Sequence, residues 1–478
     1  MASDKTLNAK NLAALGAHRL AELLLELAES DAATKRQLRL ELASRTGGGH
    51  DVAAEIRKRL ATIAKSKSFI DWHKVRAFAK DLETQRAAIM KYIAAAKPAE
   101  ALDLLWRLLE IAPSLYERCD DSNGATGDIM DEVLENLGEV AKSAKLPADK
   151  LADRVFASVC ANDYAQFDGL IEEMAESLGK DGLGLLKARF EALAKRPPAK
   201  PKGEERRVIG YGLRGPLYED DHATTHHARL VRSALTEIAD ALGDVDGYVA
   251  RFTPAEQANP AIAADIAERL LAAGRAHEAM TAITLAEKNL PAGRSWPDWE
   301  RARSEVLEAL GRSEDAQQAR WAIFERDLNA EYLRAYLKRL PDFDDEEAKS
   351  RAIAYVRSYA GFHQALAFLI NWPVHEAAAA LILERHNELD GDHYWLLTPA
   401  ADTLDQHHPL AATLTLRAMI GFALDKARAK RYGHTARHLK TCEHLSKRID
   451  DWSHHPDHDV WVADLKLRHG RKAAFWHA

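Results

Sequence analysis

The sequence has few of the features that identify a secreted, disulfide-bonded or membrane protein. Only three cysteines occur, Cys119, Cys160 and Cys442, and none lies in a CxxC pair. Neither a disulfide framework nor a cysteine zinc site is therefore predicted. No apolar run reaches the roughly 18 residues that a membrane helix needs, so we expect no membrane span. The first residues lack the apolar core of a signal peptide, and the cytoplasm is the expected location.

Motifs for common catalytic chemistry are missing as well. The sequence contains no GxSxG elbow, no GxxxxGK[ST] phosphate loop and no HExxH zinc motif. Its net charge of −7 argues against a dedicated nucleic-acid binder, although it leaves room for a local basic patch. We therefore expect a protein that is not an enzyme and that carries no cofactor.

Helical patterns occupy most of the chain, and the clearest is the stretch 101–137. Its first helix carries one narrow polar stripe, Asp103, Arg107 and Glu110, and is otherwise apolar around Trp106. A helix of this kind is buried on more than one side, as in the middle of a stack of helices. The stretch therefore predicts a helical hairpin, and runs of alternating β-branched residues, which would indicate strands, are not found.

A repeat supports the same fold class. Gly274-Arg275-Ala276-His277-Glu278-Ala279 is echoed by Gly311-Arg312-Ser313-Glu314-Asp315-Ala316, an offset of 311 − 274 = 37 residues. A glycine at a tight turn and a small alanine between helices, at a period of roughly 34 to 40, are typical of tetratricopeptide-like arrays. We predict an all-α fold, an irregular α-solenoid of antiparallel helix pairs of the tetratricopeptide or HEAT kind.

A change of composition divides this array into two predicted lobes. The segment from Lys195 to Gly203 is rich in Pro and Lys, which favours extended backbone. Glycines follow it, so we expect loop until about His222. The prediction is an N-terminal helical-repeat lobe at 1–195, a linker and loop at 196–221, and a tetratricopeptide-like lobe at 222–478 with a histidine-rich end.

Two charged segments each have a functional and a structural interpretation. The loop Asp120-Asp121-Ser122-Asn123-Gly124 could hold a hard cation, but capping and turn formation explain it better because it lacks the spacing of a calcium loop. The basic helix 51–67 could contact phosphate. It could equally be a solvated face whose core side is formed by Val52, Ile56, Leu60 and Ile63, which is the interpretation that we favour.

The C-terminus offers two further alternatives. Basic residues alternate with Phe475 and Trp476 at 465–476, which fits a nucleic-acid or peptide contact. It also fits a helix that caps the end of the solenoid and packs both aromatic rings against it. We prefer this second interpretation.

Histidine is unusually frequent near the C-terminus, with 14 of the 21 histidines after residue 360. The densest site is 453–459, where His454, His455 and His458 are weak candidates for metal ligands. A polar loop between two helices is the favoured alternative, and a pH-sensitive cluster is a third. His222, His226 and His227 form another weak group.

Several long stretches resemble a known family. They include LLWRLLEIAPSLYERCDDSNGATGDIMDEVLENLG, DYAQFDGLIEEMAESLGKDGLGLLKARFEAL, LRGPLYEDDHA, HPLAATLTLRAMI, YGHTARHL and HGRKAAFW. Together they look like an uncharacterised bacterial family, a domain of unknown function. The Trp106 and acidic-loop region is also similar to the helical part of some bacterial SWIM zinc-finger proteins. The zinc-finger cysteines of those proteins are not found here, so the resemblance implies a helical scaffold without assigned chemistry.

These observations favour a non-enzymatic scaffold that binds a partner protein or peptide. The alternatives are a nucleic-acid-associated protein that uses the basic helix and the C-terminus, and a metal-dependent enzyme that uses the C-terminal histidines. The residues expected to contact a partner are Trp106, Asp120, Asp121, Arg471, Lys472 and Trp476. The oligomeric state is not predicted.

Overall fold

The computed structural model describes residues 6–46, 49–122, 124–201, 206–212, 215–290 and 295–478. Nearly all of its regular structure is helical, so the prediction of an all-α chain is confirmed. The chain forms two compact units, Met1–Arg275 with Leu285–Leu290, and Ala276–Thr284 with Pro291–Ala478. Among the described residues, no helix combines the length and the apolar character that crossing a membrane requires.

The first unit consists of short and long helices that pack mainly on their neighbours in sequence. Its helices are α1 (Ala9–Ala13), α2 (Ala17–Ser30), α3 (Ala32–Thr46), α4 (Gly49–Lys65), α5 (Trp72–Ile89) with a π-helical turn at Met90–Ala94, α6 (Pro98–Glu110), α7 (Ala112–Tyr116), α8 (Ala125–Ala144), α9 (Ala148–Cys160), α10 (Leu170–Ala194), α11 (Glu219–Leu242), α12 (Val245–Val249), α13 (Pro254–Gln257) and α14 (Pro260–Ala272). Helix α15 (Ala276–Glu287) follows.

The predicted hairpin at 101–137 is formed by α6 and α8, which pack against each other. Leu104, Leu105, Trp106, Leu108 and Leu109 of α6 are all fully buried. This confirms that α6 is surrounded by other helices, because a helix at a surface would expose part of that run.

A β-hairpin is the main departure from the prediction. Strand β1 (Val208–Gly212) pairs antiparallel with β2 (Gly215–Tyr218), where a loop was expected until about His222, and α11 already begins at Glu219. The strands are mostly exposed, so their sequence lacks the alternation of apolar and polar residues that would have indicated them. This hairpin lies inside the first unit, and the lobe boundary at 196–221 stays a prediction.

Over its described residues, the regular structure of the second unit is all helical. Its helices are α16 (Pro297–Ala309), α17 (Ser313–Asp327), α18 (Ala330–Leu337), α19 (Asp344–Ser358), α20 (Phe362–Asn371), α21 (His375–Arg385) followed by a 3-10 turn at His386–Glu388, α22 (Tyr394–Leu404), α23 (Pro409–Asp425), a 3-10 turn at Ala429–Arg431, α24 (Tyr432–Ser446), α25 (His458–His469) and α26 (Ala473–Trp476). One continuous apolar core extends from Phe324 to Phe475.

The 37-residue repeat has the same local structure in both copies. Gly274 and Gly311 have φ angles of 75° and 71°, in the left-handed region that glycine adopts without strain. Ala279 and Ala316, at equivalent positions in the helices that follow, are fully buried. Both parts of the repeat prediction, the glycine turn and the tightly packed alanine, are therefore confirmed.

Candidate functional site

The acidic loop is organised by one of its two aspartates. Asp121 accepts hydrogen bonds from the backbone N–H of Thr126 (3.0 and 3.1 Å), from the Thr126 hydroxyl (2.5 Å) and from the N–H of Gly127 (3.1 Å). These donors lie in the first turn of α8, where backbone N–H groups have no helical partner. Among the described residues, Asp120 accepts only a 3.4 Å bond, from the Ser122 N–H. Asn123 lies outside the described residues. The loop therefore has the capping role that the sequence favoured.

Two exposed aromatic residues lie beside this loop. Ile70 is joined to the segment before the loop by two backbone hydrogen bonds, from the Ile70 N–H to the Arg118 carbonyl (2.8 Å) and from the Asp120 N–H to the Ile70 carbonyl (3.0 Å). Phe69 and Trp72, on either side of Ile70 and Asp71, are 66% and 63% exposed. We call Phe69, Trp72 and Asp120 the aromatic–acidic patch.

Sequence analysis did not identify the two aromatic members of this patch. The sequence does contain one signal for them. The two aromatic residues are three positions apart at the start of α5, and the residues that this helix buries, Val75, Ala79 and Leu82, come after them. Of the predicted contact residues, Asp120 is half-buried within the patch, and Asp121 is half-buried and engaged in the cap.

Trp106, also predicted as a partner contact, has no exposed surface. Its indole N–H donates to the Ser158 hydroxyl at 2.7 Å, and the Arg154 guanidinium lies 4.4 Å from its ring centre. A side chain packed in this way cannot touch a partner unless the core opens. Trp106 is a core residue, and we do not include it in any proposed surface.

The C-terminal residues close the second unit. Phe475 is buried and Trp476 is half-buried, and the Trp476 indole N–H donates to the His469 carbonyl at 3.0 Å. The Lys472 ammonium donates to the Leu424 carbonyl at the end of α23. These contacts support the interpretation as a capping helix. Among the three C-terminal residues expected to contact a partner, Arg471 alone is exposed.

The basic helix α4 turns Val52, Ile56, Leu60 and Ile63 into the core, as expected. Two of its basic residues are neutralised within the chain, since Arg57 pairs with Glu100 at 2.6 Å and Arg59 pairs with Asp81 at 2.5 Å. Asp81 is almost fully buried and also pairs with Arg36. The basic character of α4 is thus partly used to hold neighbouring helices.

Two of the three candidate metal ligands meet a third histidine that is distant in sequence. His454 and His455, in the loop before α25, face His386, in the turn after α21. One potential ligand atom from each of the three residues lies within 4.8 Å of the other two, and no second group of three ligands this close occurs in the described part of the chain. His458 is not a member. We call His386, His454 and His455 the histidine cluster.

The members of the histidine cluster differ in exposure. His454 is exposed, His386 is half-buried and His455 is only 8% exposed. Burial lowers the pKa of His455, and the neighbouring His454, His386 and Arg417 lower it further. A neutral imidazole, the form that binds metal, is therefore favoured at His455.

The other histidine groups do not converge in this way. His222 and His226 lie exposed on α11, while the His227 ring nitrogen is 3.1 Å from the Leu193 carbonyl. His434 and His438, on α24, line a cavity of about 300 Å³ with Arg431. Burial lowers the pKa of His438, and its neighbour His434 lowers it further.

Solved structures with some likeness to this chain include a chain from the structure of Naa15/Naa10 bound to HypK-THB. That chain is 15% identical, with a TM-score of 0.20, and the match covers 98% of this chain and 77% of that one. A circular tandem repeat protein with novel repeat topology and enhanced subunit contact surfaces is 12% identical, with a TM-score of 0.14 and 94% coverage of each chain. Both scores are too low to transfer anything from these proteins.

No curated protein matches the sequence. A family does match it, over residues 2–478, which is almost the whole chain. The protein therefore belongs to the DUF6880 family, a family of unknown function.

Proposed function

We propose that this protein is a helical-repeat scaffold that binds a partner protein or peptide and catalyses no reaction itself. The aromatic–acidic patch is the proposed contact surface. The observation that carries this proposal is the exposure of Phe69 and Trp72, each about two-thirds accessible, on a segment whose backbone is held by hydrogen bonds. Large apolar side chains that are exposed on an ordered backbone are suited to an interaction surface.

The patch is suited to binding because it is already ordered. Asp71 caps the start of α5, where its side chain accepts a hydrogen bond from the His73 N–H at 2.9 Å, while Ile70 is paired to the acidic-loop segment. The Trp72 ring also lies against the His73 ring, with ring centres 3.5 Å apart and the two planes tilted by 31°. Fixed aromatic side chains lose little conformational entropy on binding, so more of their buried area contributes to affinity.

The chemistry of the patch defines the partner that it would accept. Phe69 and Trp72 require a bulky apolar side chain to cover them. Asp120 forms no ion pair among the described residues and accepts only one long hydrogen bond, so its carboxylate can accept from a partner's Lys or Arg. We therefore expect a protein segment in which a large apolar residue is followed or preceded by a basic one.

A pair of tryptophan substitutions tests this proposal. Trp72 and Trp395 are equally exposed, at 63%, and lie in different units. The wild type, Trp72→Ala and Trp395→Ala would be expressed untagged in the native host, cross-linked, and the attached proteins quantified by mass spectrometry. A hot-spot tryptophan contributes about 2 kcal/mol, which corresponds to roughly a 30-fold loss of affinity.

We expect one protein to be cross-linked stoichiometrically to wild type and to Trp395→Ala, and to be strongly depleted with Trp72→Ala. Equal recovery with both variants would contradict the assignment of the patch. No stoichiometric protein with wild type would contradict the scaffold function as a whole.

The proposal includes two further points. We place the protein in a reducing compartment, the cytoplasm, because its cysteines are free thiols and Cys119 and Cys442 are buried. We do not propose nucleic acid as the partner, since Arg57 and Arg59 of the basic helix are ion-paired within the chain and the C-terminal aromatic residues pack against the second unit.

A further inference from the structure

We propose that His386, His454 and His455 form a transition-metal site, selective for zinc-like ions, that fastens the loop before α25 to the end of α21. The site is independent of the aromatic–acidic patch and of partner binding. It differs from the triplet His454, His455 and His458 that the sequence suggested, because the structure replaces His458 with a residue 68 positions upstream of His454.

The spacing of the three side chains is close to what a metal requires. The potential ligand atoms lie within 4.8 Å of one another. Zinc–nitrogen bonds of about 2.0–2.1 Å in a tetrahedral arrangement place ligand atoms roughly 3.4 Å apart. The ring centre of His455 lies 4.5 Å from that of His386 and 4.0 Å from that of His454. On metal binding, the rings, above all that of the exposed His454, would rotate to bring the ligand atoms to this spacing.

Unsatisfied ring nitrogens point to a ligand. Nε2 of His455 and Nδ1 of His386 are both buried, and neither has a hydrogen-bond partner in the described structure. A buried polar atom without a partner costs free energy, so native proteins rarely leave two of them adjacent. Because His455 is only 8% exposed, its nitrogen has little access to bulk water. A metal ion bound by both rings would satisfy these two atoms.

The loop that carries His454 and His455 is held in position. The Ser453 N–H donates to the Asp451 carboxylate at 2.7 Å, and Ser453 adopts a φ of 50°. On the other side of the pair, the Arg417 guanidinium donates to the Pro456 carbonyl at 2.8 Å. A loop fixed at both ends presents its two imidazoles in a defined direction, which reduces the entropy lost on metal binding.

The surrounding charges and the ligand type select the metal. Arg417 lies close enough to His455 to lower the pKa of that side chain, so its guanidinium also repels a bound cation. Three imidazole ligands without a carboxylate suit zinc, cobalt, nickel or copper and do not suit magnesium or calcium, which prefer oxygen. Three protein ligands leave a fourth position open to water or to an anion.

A cobalt titration tests the site directly. Untagged protein, stripped of metal with a chelator and dialysed, would be titrated with Co²⁺ and then with Zn²⁺. The variants are His386→Gln, His455→Gln and the matched control His458→Gln, which removes a nearby histidine outside the cluster. Circular dichroism of each variant confirms that it is folded. The readouts are the visible absorption bands of protein-bound Co²⁺ and the Zn²⁺ affinity from calorimetry.

We expect one Co²⁺ per chain, displaced by Zn²⁺, with affinity reduced by more than about tenfold in His386→Gln and His455→Gln and unchanged in His458→Gln. No binding by wild type would overturn the proposal, and so would binding that survives both cluster substitutions. Loss with His458→Gln but not with His386→Gln would favour the triplet suggested by the sequence instead. Stoichiometric binding of phosphate without metal would also contradict the proposal, since it would assign the unsatisfied nitrogens to an anion.

Discussion

The acidic loop before α8 and the histidine loop before α25 have much in common in the sequence. Each is a short cluster of metal-binding side chains between two helices, and in each an aspartate can cap the following helix. In the structure they differ in how their polar atoms are satisfied. Asp121 uses both oxygens on the backbone and side chain of α8, whereas Nε2 of His455 and Nδ1 of His386 have no hydrogen-bond partner among the residues that the structure describes.

This difference shows what distinguishes a structural loop from a binding site. The hydrogen-bonding capacity of Asp121 is used to form a helix end, so a cation would have to compete with the fold for it. In the histidine loop, the separate residue Asp457 caps α25, accepting from the Val460 N–H at 2.8 Å, and this leaves the imidazoles free. The side-chain types alone therefore do not identify a binding site. It is more informative to know whether their hydrogen-bonding capacity is already used within the fold.

The largest predicted effect is stabilisation by zinc. At a free Zn²⁺ concentration of 100 times Kd, binding to the folded protein adds about 2.7 kcal/mol to the free energy of unfolding. Thermal unfolding of metal-free protein with and without Zn²⁺ measures this. At the same Zn²⁺ concentration, a tenfold or greater loss of affinity in His386→Gln should reduce this gain to about 1.4 kcal/mol or less, and Asp121→Asn should retain it in full. A shift of equal size in His386→Gln would show that the histidine cluster is not responsible.

The next largest effect concerns the acidic loop itself. Asp121→Ala removes the acceptor for the Thr126 and Gly127 donors, and Thr126 is fully buried, so we expect a loss of about 2 kcal/mol in stability. Asp120→Ala is the matched control and should cost less than about 0.5 kcal/mol. Equal losses in urea denaturation would contradict the assignment of the cap to Asp121.

A smaller effect is predicted for the patch beside that loop. Trp72→Ala and Trp395→Ala remove equally exposed side chains and should each change the free energy of unfolding by no more than about 0.5 kcal/mol. Their melting temperatures, compared with wild type, give the result. A large loss in Trp72→Ala would mean that this side chain maintains the acidic loop and is not kept for a partner.

The smallest expected effect is that of calcium. Because both oxygens of Asp121 are engaged by α8, added Ca²⁺ should leave the melting temperature unchanged in wild type and in Asp120→Ala. A clear upward shift in wild type that is lost in Asp120→Ala would restore the cation interpretation of the acidic loop.

Local patterns predicted the fold well. The hairpin expected at 101–137 is formed by α6 and α8, and the glycine turns at Gly274 and Gly311 were located from the repeat alone. These features depend on neighbouring residues, whose periodicity and turn chemistry are written in a short stretch of sequence. The β-hairpin was missed because its exposed strands carry no such pattern.

The candidate sites were only half predictable, for a physical reason. His454 and His455 are adjacent and were recognised, but His386 meets them only through the tertiary fold of the second unit, which no local pattern encodes. Trp106 was expected to contact a partner, although the apolar pattern of its own helix indicated burial. Its burial in the structure agrees with the apolar pattern. Phe69 and Trp72 are exposed because they precede the buried face of α5, which only the structure reveals.

The most direct test is anomalous X-ray diffraction at the zinc edge, on crystals of metal-free protein soaked with one equivalent of Zn²⁺. It shows whether the loop that binds metal is the one whose polar atoms are not already used in hydrogen bonds. We predict a single strong peak about 2.0–2.1 Å from one ring nitrogen each of His386, His454 and His455, and none at Asp120 or Asp121. A peak at the acidic loop, or none at the histidine cluster, would contradict the account.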